Sequence, residues 1–348
     1  MSIAIAILIF CVIIIIHEIG HYITARLSGI MVEEFAIGMG PKIFSKKRGE
    51  TVWSIRLFPI GGFCKMLGED EENKEPRSFN SAPVWKRMIV ISGGVIMNII
   101  LALIIASAII LIGGKDVPAH PYISKITPNS AMEEAGLLAG DKFMNVNGAE
   151  IKTMDEMEAA LANAAEAPYT FVIERDGKQM QFEVVPRLMA DGAGNESLFF
   201  GFTKGYSERQ KVGFFESVKL GFEYNVYIIK MTYGSLVDLV TAKLGLKELS
   251  GPIGIVSLIS DGYQEKSKES PKALLEFILE VIAVISANLA VMNFLPLPAL
   301  DGGRMIFLII EAIRRKPINR DKEGLVHFVG FVLLMIFAVV VAFSDVFN

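Results

Sequence analysis

Cysteine is scarce in this chain. There are two in 348 residues, Cys11 inside an apolar run and Cys64 in a polar stretch. Cysteines so placed supply no disulfide framework, and neither has a C-x-x-C neighbour for redox or metal work. A basic excess is missing too. Lys and Arg number 34 against 38 Asp and Glu, a formal charge of −4, and nothing in that balance asks for a nucleic-acid partner. Charge is absent altogether from four long runs, residues 3–16, 88–112, 281–300 and 325–343. A bilayer core of about 30 Å takes roughly 20 helical residues. These runs and their flanks therefore predict spans over 2–24, 88–112, 277–300 and 325–343. The first run lacks the basic start and small-residue cleavage site of a signal peptide, so it is expected to remain as a span. The fold class expected is a multi-pass α-helical membrane protein of about four transmembrane helices.

Histidine is rare as well, with four in the chain, and two of them fall in His17-Glu18-Ile19-Gly20-His21. On a helix, positions i and i+4 share a face, so both imidazoles of an H-E-x-x-H can reach one ion. The glutamate between them can take a proton from a water held there. Burying three ionisable groups in a span is costly, which disfavours two idle histidines at a helix end. Catalytic zinc usually has three protein ligands and an open position. The acidic residue that closes another apolar run is Asp301, followed by Gly302 and Gly303; the plain alternative is a turn aspartate before a Gly-Gly pair. Asn288 and Asn293 interrupt the same run, either as interhelical hydrogen-bonding groups or as substrate contacts. Pro296 and Pro298 break its backbone, and irregular backbone at membrane depth survives where it lines a wet cavity.

The loop after the first span holds Arg26, Lys46, Lys47 and Arg48, and that after the third holds Arg304, Arg314, Arg315 and Lys316. Both loops should be cytoplasmic, which places both termini and the stretch between spans two and three outside. Met1 to His17 is about 24 Å of helix, so His17 and Asp301 are both expected toward the inner face. Four domains are expected: 1–114, the first membrane half with a cytoplasmic hairpin at 49–67; 115–188, a β-rich α+β domain; 189–270, a linker and amphipathic helices; and 271–348, the second membrane half. Strands are expected at 122–126, 142–146, 169–175 and 180–185, with turns at Asn147-Gly148 and Asp176-Gly177. Residues 212–246 mix aromatics with charges and read as amphipathic helix on the membrane surface or packed on the soluble domain.

H-E-I-G-H in the first span, N-x-x-P-x-P-x-L-D-G-G from Asn293 and S-G-P-I-G-I at 250–255 together resemble the site-2 protease family, bacterial RseP/RasP-type intramembrane zinc metalloproteases. The resemblance implies zinc held by His17, His21 and Asp301, with Glu18 as catalytic base and Asn293 and Pro298 bordering the substrate. It implies that Gly38-Met39-Gly40 is the family's G-x-G loop. Thr51 to Leu67 would then be a hairpin turning at Pro59 to Gly62, with Gly61, Gly62 and Phe63 beside the substrate. Ala135 to Gly148 resembles a PDZ domain, whose carboxylate-binding loop would fall near Pro121 to Ile123. The implied substrates are membrane proteins cut in their transmembrane segments, such as anti-sigma factors or remnant signal peptides. The implied setting is the bacterial inner membrane, with peptide or ectodomain contact through the PDZ domain. Two rivals are a zinc peptidase acting outside the hydrocarbon and a PDZ-bearing adaptor without activity. The first-span position of H-E-x-x-H opposes the former, and an intact His17, Glu18, His21 and Asp301 opposes the latter.

Overall fold

The computed structural model describes residues 2–69, 71, 73, 75–162, 168–190, 196–241, 243 and 251–347. Two compact units emerge, Met1–Ile112 with Gly213–Asn348, and Gly113–Val212. The first unit opens with α1 (Ser2–Leu27), β1 (Val32–Arg48), β2 (Thr51–Met66) and α2 (Val84–Gly113). An apolar run from Ile3 to Ile16 opens α1, and the helix ends at Leu27, just before Gly29, whose φ of +81° a side chain would resist. Helices α1 and α2 cross with their backbones almost touching. A Cβ built on Gly20 would lie 2.2 Å from the Gly93 carbonyl oxygen, so glycine is required there.

Between these helices the expected hairpin is replaced by a more folded sheet. Residues 34–37 of β1 lie between the two arms of β2. Ile37 is paired with Gly62 on one side and Ile55 on the other. The arms 51–58 and 62–66 therefore do not pair with each other around Pro59 to Gly62, as the sequence suggested. Val32, Phe35 and Ile37, strong β formers outside the hairpin reading, help to put this segment in the central place. Phe35 and Val32 are fully buried there, with Ile30, Phe79 and Val90, each contributing about 1.5–3 kcal/mol by burial. The 62–66 arm is left at the outer edge.

The second unit holds β3 (Lys115–Ile126), α3 (Ala131–Glu134), β4 (Lys142–Val146), β5 (Ala149–Glu150), α4 (Met154–Ala162), β6 (Tyr169–Arg175), β7 (Lys178–Val184), β8 (Arg187–Ala190), β9 (Glu196–Phe199) and β10 (Phe202–Gln210). Its main sheet runs β10-β3-β4-β6-β7 around a core of Ile123, Met132, Phe143, Phe171 and Ile173. Both expected turns carry positive φ, at Asn147-Gly148 and Asp176-Gly177, as two-residue hairpins need. Two readings are corrected. The unit runs on to Val212 rather than ending at 188, because β10 pairs with β3. The stretch 189–200, read as a loop, supplies part of the β8–β9 pair, although 191–195 lie outside the described residues. Nor can Pro121 to Ile123 form an open peptide-binding loop. Tyr122 is paired with Gly205 of β10 and Lys142 of β4, so both its edges are taken.

The first unit resumes with α5 (Phe214–Val240), α6 (Pro252–Glu269), α7 (Pro271–Phe294), α8 (Asp301–Arg314) and α9 (Arg320–Phe347). Among the described residues four helices are long and apolar enough to cross a membrane: α1, α2, α7 and α9. The third span is corrected at its end. It stops at Phe294 instead of 300, because the residue before each proline resists helical geometry. Residues 295–300 form a tight irregular link in which Ala299 holds a φ of +74°. Asp301 then opens α8 rather than sitting in a turn. The two glycines after it are demanded by packing, since a Cβ at Gly302 or Gly303 would lie 2.1 Å from the Leu295 oxygen or 2.3 Å from the Leu297 oxygen. The first residues of the 250–255 motif fall partly outside the described set. From Gly251 onward, Asp345 of α9 accepts the Gly251 and Gly254 amides at 2.9 Å each, which caps α6.

Candidate metal centre

One turn of α1 aims His17 and His21 the same way, and the first residue of α8 meets them. His17 Nε2 and His21 Nε2 stand 3.2 Å apart, and Asp301 Oδ2 lies 3.2 and 3.3 Å from them. Among the described residues these three side chains, and no others, bring ligand atoms together, all within 4.8 Å. The histidines are each 7% exposed. The protonation pattern tests whether a cation fits. His21 Nδ1 lies 2.9 Å from the Val90 carbonyl oxygen, an acceptor only, so Nδ1 carries the proton and Nε2 presents a lone pair. Asp301 Oδ2 is buried without a hydrogen-bond donor. Lone pairs and a carboxylate oxygen converging on one point, shut away from water, repel one another unless a cation lies between them. Two imidazole nitrogens and one carboxylate oxygen are also the donor set that catalytic zinc accepts.

Glu18 lines the same cavity, about 690 Å³ in volume, with Phe63, Met66 and Asn293. The edge arm 62–66 forms one wall, and a Cβ on Gly62 would come 3.6 Å from Glu18 Cγ. Gly61 has a φ of +85° and abuts Met39. Arg56 lies 4.7 Å over the Phe63 ring and also donates to Glu34 Oε1. Burial alone would raise the Glu34 carboxyl, but hydrogen bonds from Ser54, Lys42 and Arg56 and the Arg56 charge hold it down at about 2. That network ties the Phe63 wall to the centre of the sheet.

The expected site residues divide in space. His17, Glu18, His21 and Asp301 come together. Asn293 joins them, its Nδ2 lying 3.4 Å from His17 Nε2. Asn288 does not. It accepts the Thr232 hydroxyl of α5 at 2.6 Å, the interhelical role, and lies off the cavity. Pro296 sits in the link before α8, and Pro298 packs against α9, where a Cβ on Gly330 would lie 2.3 Å from its own Cβ.

Two groups on α2 escaped the sequence reading. Gly94 faces the imidazoles so closely that a Cβ there would lie 2.5 Å from His17 Cε1 and His21 Nε2. Asn98, fully buried, stands 3.4 Å from His17 Nδ1, while its Oδ1 has no partner. With the amide turned half a revolution, Oδ1 accepts the His17 Nδ1 proton and the buried oxygen is satisfied. Asn98 would then fix the His17 tautomer as Val90 fixes that of His21. The signal was present as a lone asparagine inside an uncharged span. Asn98→Ala is expected to weaken zinc binding about 10- to 100-fold in chelator competition, and Asn98→Asp to preserve it. Equal affinities in all three proteins would remove Asn98 from this role.

The family model for Peptidase family M50 matches residues 5–337. A Clostridium perfringens protein, provisionally named a zinc metalloprotease, is 37% identical over 99% of this chain and 98% of its own length. The zinc metalloprotease RasP of Geobacillus kaustophilus is 32% identical over 98% of this chain and 96% of its own. The regulator of sigma-W protease RasP of Bacillus subtilis is 32% identical over 98% and 97%. Among solved structures, the PDZ domain of an SdrC-like protein from Listeria monocytogenes covers 26% of this chain and 92% of that chain at 18% identity. Its TM-score of 0.21 is too low to argue from.

Proposed function

Because the chain belongs to peptidase family M50 and is a metalloprotease, we propose that it hydrolyses peptide bonds within the transmembrane segments of single-span membrane proteins. The observation that carries this reading is the placement of the ligand set. His17 and His21 lie on a helix fit to cross a membrane and are buried against Asp301. His17, His21 and Asp301 would hold the zinc ion. When bound, zinc lowers the pKa of a coordinated water and polarises the scissile carbonyl. Glu18 accepts the water's proton and delivers it to the leaving amine. The Asn293 amide donates to the oxygen that gains charge at the carbonyl carbon. Val90 holds the His21 ring and Asn98 would hold that of His17, so that both Nε2 atoms would be available to an ion.

A helical substrate hides its carbonyls in its own hydrogen bonds, so it must be drawn out before it is cut. The 62–66 arm pairs with β1 on one side and lines the cavity, and an extended substrate would add along it beside Gly61, Gly62 and Phe63. Pro296 and Pro298 shape the link whose Ala299 and Leu300 line the cavity. The 32–66 sheet lies on the cytoplasmic face of the inner membrane, and the second unit, a PDZ-type domain, lies outside with both termini. The charge bias of the loops supports this orientation. The outer unit screens substrates by ectodomain size, and the side of β10 turned away from β3, not β3 itself, is where it can hold a peptide. Anti-sigma factors and remnant signal peptides already shortened by an earlier cut are the substrate class. In reconstituted vesicles, a single-span substrate should be cut at least about tenfold faster after its ectodomain is removed, a barrier of 1.4 kcal/mol or more. Equal rates for the long and short forms would remove the size screen, and no cleavage of either would remove the intramembrane reading.

A further inference from the structure

Away from the catalytic cavity, at the C-terminal end of α1, Arg26, Arg48 and Arg77 line an open cavity of about 660 Å³ with Tyr22, Trp53 and Glu50. Glu50 is the one acid among these lining residues. Arg77 donates to its two oxygens at 2.6 and 2.7 Å, and Arg26 donates to Oε1. One carboxylate thus clamps two guanidinium forks while three positive charges stand against one negative. Each fork has five N–H donors and keeps some of them unspent. Arg48 forms no ion pair with a carboxylate among the described residues. The Tyr22 and Trp53 rings, 5.2 Å apart, close the back of the cavity.

Its height in the membrane follows from its neighbours. Lys86 at the start of α2 donates to the Ser28 carbonyl oxygen at 3.0 Å, so the ends of the two spans stand side by side. Trp85 is 60% exposed there, with the Lys86 ammonium 5.7 Å over its ring. An exposed tryptophan and a lysine at the end of a span mark the headgroup level. Leu27, 82% exposed beside Arg26, faces the same layer.

We propose that this cavity binds the phosphate of an anionic lipid headgroup. Paired guanidinium forks match phosphate oxygens two at a time, which lysine cannot do. A net positive pocket at the end of a span is where such a headgroup meets the protein. The site makes no use of the proteolytic reading and needs only that α1 and α2 cross a membrane.

The chain has two tryptophans, so Trp85→Phe leaves Trp53 as its only one. The full-length Trp85→Phe protein in detergent micelles would be titrated with phosphatidylglycerol or phosphatidylcholine brominated near the headgroup end of the acyl chain. Phosphatidylglycerol should quench Trp53 at a mole fraction at least about fivefold lower than phosphatidylcholine. Arg48→Ala, which leaves the Glu50 clamp intact, should reduce that preference about fivefold. Arg48→Ala with Arg77→Ala should erase it. Inorganic phosphate in large excess should leave the quenching unchanged. Equal quenching by the two lipids, or an unaltered preference in Arg48→Ala, overturns the proposal. Displacement by inorganic phosphate overturns the lipid assignment in favour of a free anion.

Discussion

Glu18→Gln should slow peptide-bond hydrolysis about 10²- to 10⁴-fold and leave bound zinc at the wild-type level. The substitution keeps the size and hydrogen-bonding reach of the side chain, so the nearby Gly62 arm has no reason to move. It removes the one property the reaction needs at that atom, the capacity to take up a proton and give it back. Glu18 lines the cavity but is not among the three side chains whose ligand atoms converge. Turnover of a membrane peptide, measured beside the zinc content of the same preparation, separates the roles. Wild-type turnover would refute the base assignment, and lost zinc would place Glu18 in the coordination shell.

Asp301→Ala should lower zinc affinity at least about 100-fold, or roughly 2.7 kcal/mol. That loss can be told apart from a folding defect by its size. Asp301 is also the first residue of α8, where a negative charge near the helix start contributes about 0.3–1 kcal/mol. Gly302 and Gly303, which seat α8 against the 295–300 link, are untouched by the change. Unaltered stoichiometry after chelator challenge would take Asp301 out of the shell. A protein that neither folds nor binds would instead show that α8 depends on this carboxylate.

The ligand set was legible in the sequence because each part has a local signature. The i, i+4 spacing of His17 and His21 puts them on one helical face, and Asp301 stands out as the acid that closes an apolar run. The interior of the third span was less so. The run to Leu300 is uniformly apolar, and only the pre-proline restriction reveals that the helix stops at Phe294. Asn288 and Asn293 look alike in sequence. What separates them is five residues of helical rotation, which turn one toward Thr232 of α5 and the other toward His17. The sheet between α1 and α2 was misread for a different reason. Turn chemistry at Pro59 to Gly62 suggests a simple hairpin, while the pairing of β1 between both arms of β2 is a long-range choice driven by burial of Val32 and Phe35. Gly94 and Asn98 were missed because their meaning depends on which face of α2 meets α1, which is set by the Gly20–Gly93 crossing.

The X-ray absorption spectrum of zinc bound to full-length Glu18→Gln protein tests the central claim most directly. The account predicts a first shell of nitrogen and oxygen at about 2.0–2.2 Å, with outer-shell scattering from two imidazoles and no sulfur. Cys64 lines the same cavity. A sulfur neighbour at about 2.3 Å, or a shell without imidazole, would contradict a site built from His17, His21 and Asp301.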